Sequence, residues 1–188
     1  MKRLLLALLL ALAPAFAFAA DPAVKLEPTE GTELSKQDDA AVRKVLIDYL
    51  EALKQKDYVK AGELIDRESL LSTVEPMVAS IASDSTHTDA ARRKIFGVST
   101  PDSVQETANG PLFASLMAYL LKTNPNAAKV MELASIQVLA TRQIHGKASV
   151  AYQLTIASPE KDGMPYEQVT AQQMRKVDGK WRILFRLD

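Results

Sequence analysis

Hydrophobic and polar residues alternate along the last third of the chain, residues 136–188. Between Lys147 and Ile156 the even-numbered residues are mostly apolar and the odd-numbered ones are small or polar. Asp178 and Gly179 separate two further alternating runs, and Asp-Gly is typical of a type I′ turn, which requires positive φ at both positions. The alternation predicts an antiparallel meander of three or four strands that is apolar on one face.

The Asp178-Gly179 turn also predicts which strand positions face the interior. With these residues as the loop, Met174 lies opposite Ile183, and every second residue points to the same side. The inward set is then Ala148, Val150, Tyr152, Leu154, Ile156, Thr170, Gln172, Met174, Ile183 and Phe185. The preceding strand, residues 136–144, has no clear inward set because Arg142 interrupts its alternation. A β-bulge there would shift the register.

Upstream of the meander, apolar residues recur every three or four positions, the spacing of helices with one buried face. The first such stripe consists of Val42, Val45, Leu46, Tyr49, Leu50 and Leu53. Ser35 with Asp38 fits a capping box before it, and Asp57 is a suitable N-cap for a second helix. A later stripe, residues 70–81, contains Pro76, which predicts a kink or two short helices. The pattern indicates an α+β fold with helices packed on one face of a curved sheet.

The N-terminal residues have the features of an export signal. Lys2 and Arg3 precede an apolar stretch, and Ala17 and Ala19 form an Ala-x-Ala cleavage site, so residues 1–19 are predicted to be a cleaved signal peptide. An uncleaved anchor is the alternative, since the uncharged run approaches the length of a spanning helix. Residues 20–34 contain prolines and scattered acids and predict an extended tether. We therefore expect a periplasmic or secreted protein that does not contact the membrane after cleavage.

Composition narrows the possible chemistry. The chain has 188 residues and no cysteine, which excludes disulfides, thiolate nucleophiles and cysteine-based metal sites. Losing Lys2 and Arg3 lowers the net charge from zero to about −2, so we expect no nucleic-acid binding. Residues 35–188 suit one domain with a single core.

The order of these elements resembles the NTF2-like (cystatin-like fold) superfamily. The resemblance rests on VLIDYLEAL at residues 45–53, AGEL at residues 61–64 and DGKWRI at residues 178–183. It covers nearly all of residues 35–188, although the helical middle, residues 67–133, is longer than in a minimal member. The resemblance implies a conical pocket between the first helix and the sheet. Members include isomerases, dehydratases and many non-catalytic binding or assembly domains, so the fold does not decide the function.

An acid/base enzyme would need an ionisable group at an inward position, and the predicted inward set contains none that titrates near neutral pH. We expect neither His87, in a polar stretch, nor His145, before a turn glycine, to be catalytic, and we expect no metal or cofactor. A register slip would overturn this, with Asp48 or Asp66 as the misplaced carboxylate. The candidate pocket residues are Tyr49, Tyr152, Thr170 and Gln172, which either contact a ligand or satisfy one another.

The predicted outer face carries three arginines, Arg175, Arg182 and Arg186, which form a candidate partner surface or a solvated face. Three functions remain open at this point. The leading one is a non-catalytic domain that binds a small apolar ligand or a protein partner. The alternatives are a small isomerase, dehydratase or hydrolase using the pocket, and a homodimer or larger scaffold assembled through the outer sheet face.

Overall fold

Helices precede a four-stranded antiparallel sheet in the computed structural model, which describes residues 31–83, 101–123, 134–157 and 165–186. The described helices are α1 (Lys36–Lys54), α2 (Tyr58–Glu63), α3 (Arg67–Ser83), α4 (Pro101–Glu106) and α5 (Asn109–Thr123). The strands, in spatial order, are β1 (Ala134–Ile144), β2 (Lys147–Ile156), β3 (Tyr166–Val177) and β4 (Lys180–Ile183). The predicted α+β class and meander are confirmed. The predicted signal peptide and His87 lie outside the described residues.

The β3–β4 hairpin has the predicted turn and register. Asp178 and Gly179 have φ values of 49° and 74°, as a type I′ turn requires. Met174 lies opposite Ile183. The hairpin therefore divides its side chains between the two faces of the sheet as the alternation predicts.

Strand β1 contains the irregularity that its sequence suggested. Its pairing with β2 shifts between Val138 and Ala140, which leaves Leu139 as the extra residue of a bulge. After the shift, Ala140 pairs with Ala151. At the end of β1, His145 has a φ of 50°, so this histidine forms a tight turn with Gly146.

The helices and the inner sheet face share one hydrophobic core. Helices α1 and α5 contribute Tyr49 and Phe113, and β2 and β4 contribute Tyr152 and Trp181 from the other side. The inward-facing strand residues are buried as predicted, apart from Ile156 and Thr170, which are half-buried. The fully buried large residues include Leu46, Tyr49, Phe113, Leu116, Met117, Met174 and Ile183.

Helix α1 is fixed to the sheet at its first turn. The Ser35 hydroxyl accepts a hydrogen bond from the Asp38 backbone N–H at 3.1 Å, as the predicted cap requires. The Asp38 carboxylate then accepts hydrogen bonds from Lys176 Nζ at 2.7 Å and Trp181 Nε1 at 2.8 Å. Lys176 also lies 5.5 Å from the centre of the Trp181 ring. Asp38 thus joins the N-terminus of α1 to the β3–β4 hairpin.

Both edges of the sheet carry additional backbone pairing. Ile65, between α2 and α3, forms a parallel bridge with Ile183 of β4. Thr32 exchanges two backbone hydrogen bonds, of 3.0 and 2.9 Å, with Gln143 of β1. The described end of the predicted tether therefore pairs with the sheet instead of extending away from it. Each of these contacts is a single bridge, so the edges are paired at Gln143 and at Ile183.

One helix differs from the sequence-based expectation. Helix α3 continues through Pro76 as one helix, with Val74 and Val78 buried on both sides of the proline. Of the two alternatives predicted there, a kink or two short helices, the second was wrong. Helix α5 begins at Asn109 and has Pro111 in its first turn, where the missing N–H of proline would have no partner.

Candidate functional site

Three of the four predicted pocket residues lie in the core. Tyr49, Tyr152 and Gln172 are 1%, 3% and 3% exposed. Thr170 is half-buried and lies opposite Tyr152 in the β2–β3 pairing. Tyr152, Thr170 and Gln172 therefore share the inner sheet face, and Tyr49 of α1 belongs to the same core. This core surrounds the three buried residues with packed side chains.

One aromatic ring packs against Tyr49, and a second ring packs against the first. The Phe113 ring centre of α5 lies 6.3 Å from that of Tyr49, and Phe185 meets Phe113 edge-to-face at 5.3 Å. The Tyr49 hydroxyl is buried and has no hydrogen-bond partner among the described residues. Burial raises the pKa of Tyr49 above 10.0 and the pKa of Tyr152 to about 12. Both phenols are therefore neutral at ordinary pH, and neither is an acid or base of suitable strength there.

Gln172 has a structural contact that accounts for its burial. Its side-chain amide donates to the backbone oxygens of Gln173, at 3.0 Å, and Leu184, at 2.9 Å. The Leu184 N–H in turn donates to the Gln173 carbonyl at 2.9 Å. Gln172 therefore holds Leu184, the first residue after β4, against β3.

The predicted arginine surface is partly neutralised by helix residues. Arg175 forms a two-point ion pair with Asp66, Nε to Oδ2 at 2.7 Å and Nη2 to Oδ1 at 2.9 Å, and a further pair with Glu68. These carboxylates raise the pKa of Arg175. Arg182 donates to the backbone carbonyl of Glu63. Arg186 is exposed and has no side-chain partner within the described part of the chain.

Asp66 is the buried carboxylate of the described core and is 2% exposed. It lies between α2 and α3, where its side chain accepts from the Ser69 backbone N–H at 2.8 Å and so caps α3. Arg175 binds both of its oxygens, so Oδ1 accepts from the Ser69 N–H and from Arg175 Nη2, and Oδ2 accepts from Arg175 Nε. The cap and the ion pair give the buried Asp66 carboxylate a structural role. Asp48, the other carboxylate considered, pairs with Lys44 at 2.8 Å on the surface of α1.

A groove lies between α3 and the outer side of the β3–β4 hairpin. Its volume is about 580 Å³. Leu71 and Val177 give it apolar surface, and charged side chains of both signs surround them. The charged lining residues are Glu63, Asp66, Arg67, Glu68, Glu75, Arg175 and Arg182. We call this feature the α3 groove.

Arg67 closes one end of the α3 groove against helix α4. Its Nη1 donates to the Thr107 carbonyl and Asn109 Oδ1 at 2.6 and 3.1 Å. Its Nη2 donates to the carbonyls of Val104 and Gln105 at 3.1 and 2.6 Å. A guanidinium that binds several carbonyls at a helix end satisfies groups that would otherwise lack partners. Arg67 therefore fixes α4 and the start of α5 to α3.

This groove was not predicted from the sequence. Its helix side consists of Glu68, Leu71, Ser72 and Glu75, whose spacing of three, one and three residues places them on one face of α3. That spacing was a detectable signal. The strand side was not detectable locally, because Arg175 lies about a hundred residues further along the chain from the helix.

The outer face of the sheet presents small side chains. Ala151 of β2 lies opposite Ala140 of β1 and Ala171 of β3, which produces a row of three alanines across the sheet. Val169, on the same face, is 62% exposed. Every outward-facing residue of β2 from Ser149 to Thr155 remains partly exposed. We call this surface the alanine face.

Two further properties concern the part of the chain that the structure describes. It contains no cluster of three or more histidine or acidic residues suited to a metal ion. None of its helices is both long enough and apolar enough to cross a bilayer.

Comparison with known proteins gives little guidance. No protein-family model matches the chain, and no curated protein does so. Among solved structures, the chain is similar to a crystal structure from Xanthomonas campestris described as a calcium/calmodulin dependent protein kinase II association domain. The two are 14% identical over 85% of this chain and 92% of that one, with a TM-score of 0.31. A likeness this weak does not establish a shared fold.

Proposed function

We propose that this chain is an exported, non-catalytic NTF2-like domain that forms a homodimer through the alanine face. Export is supported by the charged, apolar and Ala-x-Ala segments of residues 1–19. The architecture is supported by the packing of helices on one side of a four-stranded meander. A binding role is favoured over acid/base catalysis because Tyr49 packs against Phe113 in a core whose inward strand positions hold no group that titrates near neutral pH.

The alanine face is the observation that carries this proposal. Ala140, Ala151 and Ala171 form a row of small side chains across three strands, and Val169 adds exposed apolar surface beside it. Small side chains allow two backbones to approach closely. Such a surface can meet its own copy across a two-fold axis, the commonest symmetry of soluble oligomers.

Analytical ultracentrifugation of the mature chain, residues 20–188, tests the homodimer. We expect the wild-type protein to sediment as a dimer and Ala171→Arg to sediment as a monomer, because an arginine at the centre of the face prevents close approach. The matched control is Ala118→Arg, at an exposed position of α5, which should remain dimeric. A monomeric wild-type protein, or an Ala171→Arg dimer as tight as the wild type, would reject the proposal.

The Tyr49 hydroxyl favours a second candidate, the binding of a small apolar ligand with one polar group. A buried polar group without a partner costs about 1–3 kcal/mol, and a bound molecule that hydrogen-bonds to this hydroxyl would remove that cost. Native mass spectrometry of the wild type and Tyr49→Phe distinguishes the cases. A co-purified mass that is present in the wild type and absent in the variant supports the ligand. An empty wild-type protein that is no more stable than Tyr49→Phe supports a purely structural tyrosine.

A further inference from the structure

We propose that the α3 groove binds a cationic segment of a partner protein, in which a lysine or arginine is flanked by apolar residues. The proposal concerns a surface separate from the alanine face. It depends on which charged groups of the groove are already engaged within the protein and which are directed toward an incoming ligand.

The three arginines that line the groove are engaged. Arg67 donates four hydrogen bonds to three carbonyls and to Asn109. Arg175 is bound to Asp66 and Glu68, and Arg182 donates to the Glu63 carbonyl. An anionic ligand would have to compete with these contacts for the guanidinium N–H groups. The groove is therefore poorly suited to anions, although it contains three cations.

The carboxylates of the groove are less well neutralised. Asp66 and Glu68 share the single positive charge of Arg175, and the Glu68 side chain is 78% exposed. Glu75 accepts a hydrogen bond from the neutral amide of Gln105 at 2.6 Å. Glu63 is exposed, and the described residues provide no side-chain partner for its carboxylate. A cation entering the groove would thus meet carboxylates that have spare hydrogen-bonding capacity.

The apolar surface between these carboxylates determines the kind of cation. Leu71 is half-buried and Val177 is 37% exposed, and both line the groove. Lysine and arginine place methylene groups along apolar surface while their charged ends reach polar groups. The volume of about 580 Å³ accommodates a few side chains. A cationic and apolar protein segment matches this combination better than a free metal ion, because the described residues hold no metal-type cluster.

Fluorescence anisotropy with two labelled peptides tests the proposal. One peptide alternates lysine and leucine, and the other replaces each lysine with glutamate. At about 50 mM salt, where screening is weak, we expect the full mature protein to bind the lysine peptide and not the glutamate peptide. In Glu63→Gln/Glu75→Gln, each lost charge pair should weaken binding about threefold, the size of a partly exposed ion pair.

Control variants separate a specific groove from general attraction to an acidic protein. Glu51→Gln removes an exposed carboxylate from α1 and should leave the affinity unchanged. Ala171→Arg should also leave it unchanged, so failure of the homodimer does not affect this result. Circular dichroism confirms that each variant is folded. The proposal is overturned if the lysine peptide does not bind, if both peptides bind equally, or if Glu51→Gln weakens binding as much as the double variant.

Discussion

Arg175 of β3 and Asp66 before α3 form a two-point ion pair in which the Asp66 side chain is 3% exposed. The pair connects the outer side of the hairpin to the start of the helical middle segment. Asp66 also caps α3 through the Ser69 N–H, and its own N–H donates to the Ile183 carbonyl at 2.8 Å. One residue thereby links α3, β3 and β4. The buried Asp66 carboxylate thus anchors the start of α3 to the sheet.

Removing the Asp66 charge should destabilise the fold strongly. Asp66→Asn retains an oxygen for the cap but removes the charge paired with Arg175, and losing hydrogen bonds to a charged group costs about 1.5–3 kcal/mol. Urea denaturation of the purified variant measures the loss in the free energy of unfolding. Glu68→Gln is the control, because its exposed pair with the same arginine is worth less than about 1 kcal/mol. Equal losses in the two variants would contradict the assigned importance of Asp66.

Gly62 allows helices α2 and α5 to approach closely. A Cβ added at Gly62 would lie 2.7 Å from both the Asn109 carbonyl oxygen and Phe113 Cβ. Gly62→Ala should therefore lower the free energy of unfolding by about 1–3 kcal/mol, despite the higher helix propensity of alanine. Chemical denaturation measures the change.

Gly110 tests whether the two helix glycines share one contact, and Gly146 provides the control. Gly110→Ala would clash with the Val59 carbonyl oxygen of α2 at 2.9 Å, so its effect should be coupled to that of Gly62→Ala in a double variant. Gly146→Ala lies in a turn with no atom within 4 Å of the added carbon and should combine additively with Gly62→Ala. Additive effects for the two helix glycines would contradict a shared contact.

Much of this fold was predictable because its signals are local. The period-two alternation of β2 and the Asp178-Gly179 pair determined both the register and the inner face. The first turn of α1 was predictable from Ser35 and Asp38. The contacts of Asp66 were not, since its partner Arg175 is 109 residues away and no local pattern connects them. Helical spacing placed Tyr49 near the interior and alternation placed Tyr152 there, but neither pattern contained information about whether that interior is open or filled.

The Asp38 cluster should make stability depend on acid pH. Hydrogen bonds from Lys176 and Trp181 lower the pKa of Asp38 below its ordinary value of 3.8. A carboxyl whose folded-state pKa is lowered stabilises the protein above its unfolded-state pKa and loses this effect as pH falls through the folded-state value. Lys176→Gln should therefore be less stable than the wild type at pH 6, with the difference shrinking below about pH 4.

Thermal unfolding across this pH range measures the Asp38 effect. Lys180→Gln is the matched control. Lys180 is an exposed lysine of the same hairpin, whereas the hairpin donors to Asp38 are Lys176 and Trp181. The melting temperature of Lys180→Gln relative to the wild type should change little between pH 6 and pH 3. A Lys176→Gln difference that persists unchanged at pH 3 would show that the lysine acts through its packing on Trp181 rather than through the Asp38 charge.

Tyr152 should limit stability at alkaline pH. Its burial raises its pKa from 10.0 to about 12, so the folded protein keeps the phenol neutral where the unfolded chain would ionise it. A group with a raised folded-state pKa contributes fully below the unfolded-state value, and the contribution is lost as pH rises through the folded-state value. The free energy of unfolding should therefore fall between pH 10 and pH 12, and it should fall less steeply in Tyr152→Phe. Exposed Tyr166→Phe should follow the wild-type curve, whereas parallel curves for the wild type and Tyr152→Phe would show that the Tyr152 phenol ionises as readily in the folded state as in the unfolded chain.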